Sequence, residues 1–279
     1  MFKSQFLLMI RRHEFQISFL FTVAVSLIYP VSLVYSHLMQ EKDIGTLIAP
    51  QYAFIFNRYS GIWFNIYYFF PLILMFPFAY SYATDKKTHY DSILISRSGI
   101  KKYLYSKAFC CLIGGFIITF IPGILNMTVS YIFLPQTFHG EFGNTITDDI
   151  ISFINDTYYE KKSHDAYLWL VHPKICFIFS SFRVGVLGAV FSLVIYVISL
   201  MMKNLKFFYF SVLPVLIFFV MSHRIQESLN DMFCIDLLEY AFAGSYITFY
   251  PCVFWLSCVL LTMISFFIIT IHSKKDQLQ

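Results

Sequence analysis

Along this chain, polar residues gather in short clusters between long apolar runs. Five runs stand out, at residues 15–38, 63–83, 108–134, 176–202 and 252–271. At about 1.5 Å per residue, each reaches the ~30 Å needed to cross a bilayer as a helix. A shorter run at 207–221 carries Pro214 in its middle and is read as a further span, giving six. The expected fold is therefore an all-α polytopic membrane protein of one transmembrane domain, residues 1–279. The first fourteen residues read as an interfacial amphipathic helix. Phe2, Phe6, Met9, Ile10 and His13 fall on one side of it, with Lys3 and Arg11 on the other.

Composition agrees with this pattern. Only 13% of the 279 residues are charged, against roughly 25% in soluble domains, which excludes an ordinary soluble globule. The high apolar share, 58%, excludes a disordered chain. The formal charge of +4 is a cancellation. With a cytosolic N-terminus and six spans, thirteen Lys/Arg and four Asp/Glu fall inside, while six cations and twelve anions fall outside. Arg183 lies within a span. The positive-inside rule thus places both termini in the cytosol, as expected for a multi-pass protein of the cell membrane.

The outer segments are the acidic ones. Residues 135–174 form a long extracellular loop, in which Thr147 can cap a short helix bearing Asp148 and Asp149 in its first turn. Residues 235–250 are apolar yet contain Asp236 and Glu239, as in a re-entrant piece whose backbone other helices must bury. Asn155-Asp156-Thr157 is a formal glycosylation acceptor.

Several chemistries are missing. No G-x-x-x-x-G-K-[ST] phosphate loop, H-E-x-x-H or G-x-S-x-G occurs, and no cysteine pair has zinc-site or C-x-x-C spacing. Cys176 and Cys234 read either as a disulfide or as two small buried hydrophobes. His223 and Glu227 could share a helix face, as a ligand pair or a solvated one. No cofactor, metal or catalytic residue is expected on this chain, and no nucleic-acid partner.

The stretch 84–107 holds six of the thirteen inner cations. Asp85, Lys86 and Lys87 lead through Thr88, His89, Tyr90 and Asp91 to an apolar strip, Ile93 to Ile95. A turn at Ser96-Arg97-Ser98-Gly99 then passes Lys101 and Lys102 to Lys107. Physically this is a short helix on the membrane face, a turn and a helix re-entering the membrane, open to a cytosolic partner or to anionic lipid.

This layout resembles the membrane subunit of a type-2 ABC exporter. That family has an interfacial helix before six spans and, between spans two and three, an acidic residue, basic residues, Gly-Thr, an apolar strip, a basic turn and a closing lysine. Asp85, Ile93 to Ile95, Arg97, Lys101 and Lys107 match. His89-Tyr90 stands where the family has Gly-Thr, and the usual proline of the turn is absent. The resemblance implies that a separate cytosolic ATPase subunit, carrying ATP and Mg, grips residues 85–91, Arg97, Lys101 and Lys102. It also implies a second permease subunit, identical or different, and transport of an amphipathic peptide or lipid-like cargo. In the family the second span borders the substrate path, where Tyr67, Tyr68, Phe69 and Phe70 form either a cargo-facing cluster or an interfacial aromatic belt. Arg183 either snorkels, pairs with Asp236 or Glu239, or grips an anionic cargo group. Gly185 and Gly188 beside it would admit a close helix neighbour. A membrane sensor or immunity protein that binds a peptide through its outer loops is the alternative function.

Overall fold

The computed structural model describes residues 1–39, 53–56, 70, 72–74, 79–134, 168, 172–202, 210, 212–228, 237–242 and 251–275. Its elements are α1 (Phe2–Arg11), α2 (His13–Met39), α3 (Ala79–Lys87), α4 (Tyr90–Ser98), α5 (Ile100–Phe133), α6 (Pro173–Met201), α7 (Leu213–Ser228), α8 (Leu237–Ala241) and α9 (Pro251–Lys275). There is no strand among the described residues. Within α2, α5, α6 and α9 lie four stretches long and apolar enough to cross a membrane. The molecule is an all-helical membrane protein.

The centre of the bundle is the α5–α6 pair. α6 also packs on α9, α3 and α8, while α1 and α2 lie along α5. Small residues bring α5 and α6 together. A Cβ on Gly188 would stand 2.8 Å from the Gly115 carbonyl oxygen, and one on Gly115 would stand 2.8 Å from the Ser192 Cβ. Neither backbone could come so near with a side chain between them. Without hydrophobic attraction between helices in lipid, this close van der Waals contact is what holds such a pair. Gly185 faces Phe116 and Phe120 of α5 in the same way.

The outer helices turn large apolar side chains away from the protein. Ile17, Leu20, Phe21 and Ile28 on α2, and Leu256, Met263 and Phe267 on α9, are all exposed. In water such faces would be a liability, whereas on a membrane protein they meet acyl chains.

α5 begins at Ile100, straight after the Ser96–Gly99 turn as expected, so the apolar span from residue 108 is the later part of a 34-residue helix about 51 Å long. The short run at 207–221 is displaced. Its helix, α7, starts at Leu213 and runs to Ser228, so Pro214 lies in the first turn and not in the middle. A proline costs nothing there, because first-turn N–H groups have no helical acceptor. α1 forms as expected. Gln5 and Met9 are buried, while Phe2, Leu7, Leu8 and Ile10 are exposed. The apolar side of an interfacial helix goes to lipid, and the protein takes the mixed one.

Of the second apolar run, 63–83, the described part is Phe70, residues 72–74 and the segment that begins α3. Most of the loop 135–174, including Thr147, Asp148, Asp149 and Asn155, lies outside the described residues. So do Cys234 and Asp236, and the side chains of His223, Glu227 and Glu239. Cys176 is buried. Within 235–250, α8 is buried on α6. The Ser180 hydroxyl donates to the Ala241 carbonyl at 2.7 Å, and Tyr240 packs on Phe254 of α9.

Candidate functional site

Two helix faces with residues four apart meet at the end of the bundle that carries the basic stretch. On α3, Ser81 and Asp85 stand one above the other, and on α5 Tyr103 and Lys107 do the same. All four are buried. Each Asp85 oxygen has its own donors. Oδ1 accepts from Arg12 Nη2 at 2.7 Å. Oδ2 accepts from Lys107 Nζ at 2.6 Å and from the Tyr103 hydroxyl at 3.2 Å. Lys107 Nζ also donates to Ser81 Oγ at 3.0 Å. The Tyr103 ring lies 5.1 Å from the ammonium and the Tyr82 ring 6.0 Å. A fully buried ammonium persists only with such company, because its desolvation must be offset by pairing and hydrogen bonds.

Arg12 reaches this carboxylate because the helix breaks there. Its backbone is extended (φ −72°, ψ 136°), which separates α1 from α2 and places the guanidinium at the corner. One carboxylate therefore ties together three parts of the chain: the α1–α2 corner, α3 and α5.

Above this anchor, α4 projects. None of its side chains is fully buried. Leu94 and Ile95 lean on the core, while Ile93, the first of the apolar strip, is half exposed. Both ends of α4 have left-handed backbone. His89, just before it, has φ 56°, ψ 17°, and Gly99, just after it, has φ 79°, ψ 148°. The Ser92 hydroxyl donates back to the His89 carbonyl at 2.7 Å, and Ser98 to that of Leu94 at 2.7 Å, which fixes the two turns.

The sequence-derived coupling residues thus divide in two. Lys86, Lys87, Thr88, His89, Tyr90, Arg97, Lys101 and Lys102 are exposed, and Asp91 is partly so. Asp85 is not available to a partner; it lies beneath the others as their anchor. Sequence reasoning left Arg12 among the general inner cations and passed over Tyr103 and Ser81. The repeated four-residue spacing across two neighbouring helices was the signal that could have found them.

Of the residues assigned to a substrate path, the described ones, Phe70 and Arg183, do not join this cluster. Tyr67 and Tyr68 lie outside the described residues. Phe70 is buried, packs edge-on against Phe219 of α7, and lines a small space of about 40 Å³ shared with α2 and α5. Arg183 is only 7% exposed, with its guanidinium 5.2 Å from the centre of the Tyr240 ring. The aromatic face of α8 is thus its described neighbour, a cation–π arrangement suited to a desolvated guanidinium. Among the described residues no group of His, Cys, Asp and Glu side chains could hold a metal ion.

Over 148 residues, 52% of its length, the chain is 34% identical to the uncharacterized protein YybM of Bacillus subtilis (strain 168). The match covers 57% of that relative, so the chain spans little more than half of it. No protein family and no solved structure matches the chain.

Proposed function

We propose that this chain is the six-span permease subunit of an ATP-driven exporter, and that a separate ATPase subunit grips it at the α3–α4–α5 hairpin. The observation that carries this reading is α4 itself. A nine-residue helix with no buried side chain, bearing exposed Arg97 and flanked by exposed Lys86, Lys87, Lys101 and Lys102, stands on a buried ionic anchor. A helix so poorly buried gains little from its own chain, which suits a surface meant for a partner. The left-handed His89 also supports the resemblance, since it occupies the position where the family pattern has glycine, the residue that adopts this backbone most freely.

In this mechanism, ATP-driven closure of two ATPase subunits pushes on α4. The Asp85 anchor passes the push to α5 through Lys107 and to the α1–α2 corner through Arg12, so the bundle rocks as a body. The phosphates, Mg and hydrolysis belong to the ATPase. This chain contributes the grip, the transmission and the path for an amphipathic cargo. The cytosolic placement of both termini follows from the distribution of Lys and Arg.

The test is purification of the tagged full-length chain at native expression, with and without K86E/K87E/R97E. An ABC ATPase should accompany the unaltered chain and be lost from the triple variant, which stays folded because all three side chains are exposed. Absence of any ABC ATPase from the unaltered chain purified at native expression would refute the reading.

A further inference from the structure

Pro30 lies inside α2, whose helix continues past it to Met39. A proline has no N–H, so the carbonyl four residues earlier, that of Ser26, lacks the amide that would close its helical bond. In a membrane helix that carbonyl needs another donor. It has one from a different helix. Asn126 of α5, fully buried, donates from Nδ2 to the Ser26 carbonyl oxygen at 2.6 Å.

The same amide holds a second piece of chain. Nδ2 also approaches the Ala53 carbonyl at 3.3 Å, and Oδ1 accepts from the Ile55 N–H at 3.0 Å. Only one orientation of the amide satisfies all three contacts. The segment it holds is packed deep, with Phe54 stacked on Phe177 of α6 at 4.3 Å. Beyond Pro30, by contrast, a groove opens between α2 and α5. Pro30, Val31, Val34 and Tyr35 line this groove of about 270 Å³ with Val129 and Phe133. The two helices are thus bonded at Asn126 and separated just past it.

We propose that α2 is hinged at Pro30 and that Asn126 is the latch that holds the hinge. Residues 31–39 form an arm that moves over the groove when the Asn126–Ser26 bond opens, while residues 13–26 stay packed. This does not depend on the exporter reading. The hinge is a property of one proline and one amide, and its test measures neither transport nor ATPase activity.

Hydrogen–deuterium exchange of the full-length protein in detergent tests it, on the unaltered chain, N126A, P30A and N126A/P30A. Loss of the latch should speed exchange of the amides of residues 31–38 by about tenfold, as for loss of one hydrogen bond, and leave 17–25 unchanged. P30A restores the helical amide, so it should slow the arm and should largely cancel the effect of N126A in the double variant. Equal change along the whole of α2, or a double variant as fast as N126A, would overturn the hinge. If N126A fails to fold, P30A alone decides: slower exchange of the arm supports the hinge, and unchanged exchange refutes it.

Discussion

Replacing Asp85 by Asn removes one charge and almost no volume from the anchor under α4. Its two oxygens receive donors from opposite sides, Arg12 on one and Lys107 with Tyr103 on the other. An amide can accept on one side only, so its NH2 group must face a cation on the other. With the NH2 group turned to the more exposed Arg12, the fully buried Lys107 ammonium keeps a neutral amide oxygen but loses the opposite charge that offset its desolvation. Breaking a buried pair in this way costs about 3–5 kcal/mol. For a chain of this size that lowers the unfolding midpoint on the order of 10 °C. Arg12 contributes less to the loss, because its side chain is 24% exposed and can turn to water. The double variant D85N/K107M removes the stranded ammonium as well and should recover at least half of the loss, since a neutral pair can replace a buried ionic one with little penalty. The assay is thermal unfolding of the purified chain in detergent, followed by circular dichroism. A D85N midpoint within about 2 °C of the original, about the shift from 1 kcal/mol, or a double variant no better than D85N, would refute the reasoning.

Other expectations follow from close contacts and backbone. Gly188→Ala places a methyl group against the Gly115 carbonyl and Thr119, and overpacking of this kind should destabilise the α5–α6 pair by about 1–3 kcal/mol, read from the same unfolding curves. Gly99→Ala meets no atom within 4 Å, so its cost is conformational alone, roughly 1–3 kcal/mol for a side chain forced to that backbone. His89→Gly goes the other way and should raise stability by up to about 1 kcal/mol, by relieving a left-handed non-glycine residue.

How much of this was legible beforehand depended on the kind of signal. The apolar runs around α2, α5, α6 and α9 announce themselves because a bilayer demands length and hydrophobicity together. The ends are harder, since Lys101, Lys102 and Lys107 break the apolar run without breaking the helix. A lysine at the membrane border is as good a helix former as the leucines that follow. Pro214 was misplaced for the opposite reason, a helix breaker that does no harm in a first turn. On α1, apolar periodicity marks the side that leaves water, and at a membrane that side need not be the one that meets protein, so the burial of Gln5 and Met9 was not legible. The Asp85 carboxylate was read as a surface feature because its partners lie 73 residues before it and 22 after. Asn126 carried no pattern at all. Its role appears only when the carbonyl freed by Pro30, 96 positions earlier, is brought beside it.

The anchor also constrains how the protein is made. Arg12, Asp85 and Lys107 belong to segments synthesised in that order, and each lies at the end of an apolar stretch rather than within one. While the chain is growing, every one of these charges can wait in the hydrated interface. None of these three charges has to be carried unpaired through the bilayer. The carboxylate acquires its full complement only after Lys107 has left the ribosome and α5 has inserted, so the three-way tie closes late, as helices already in place draw together. A chain truncated before residue 107 would lack the buried ammonium and leave the Asp85 carboxylate without its full set of donors.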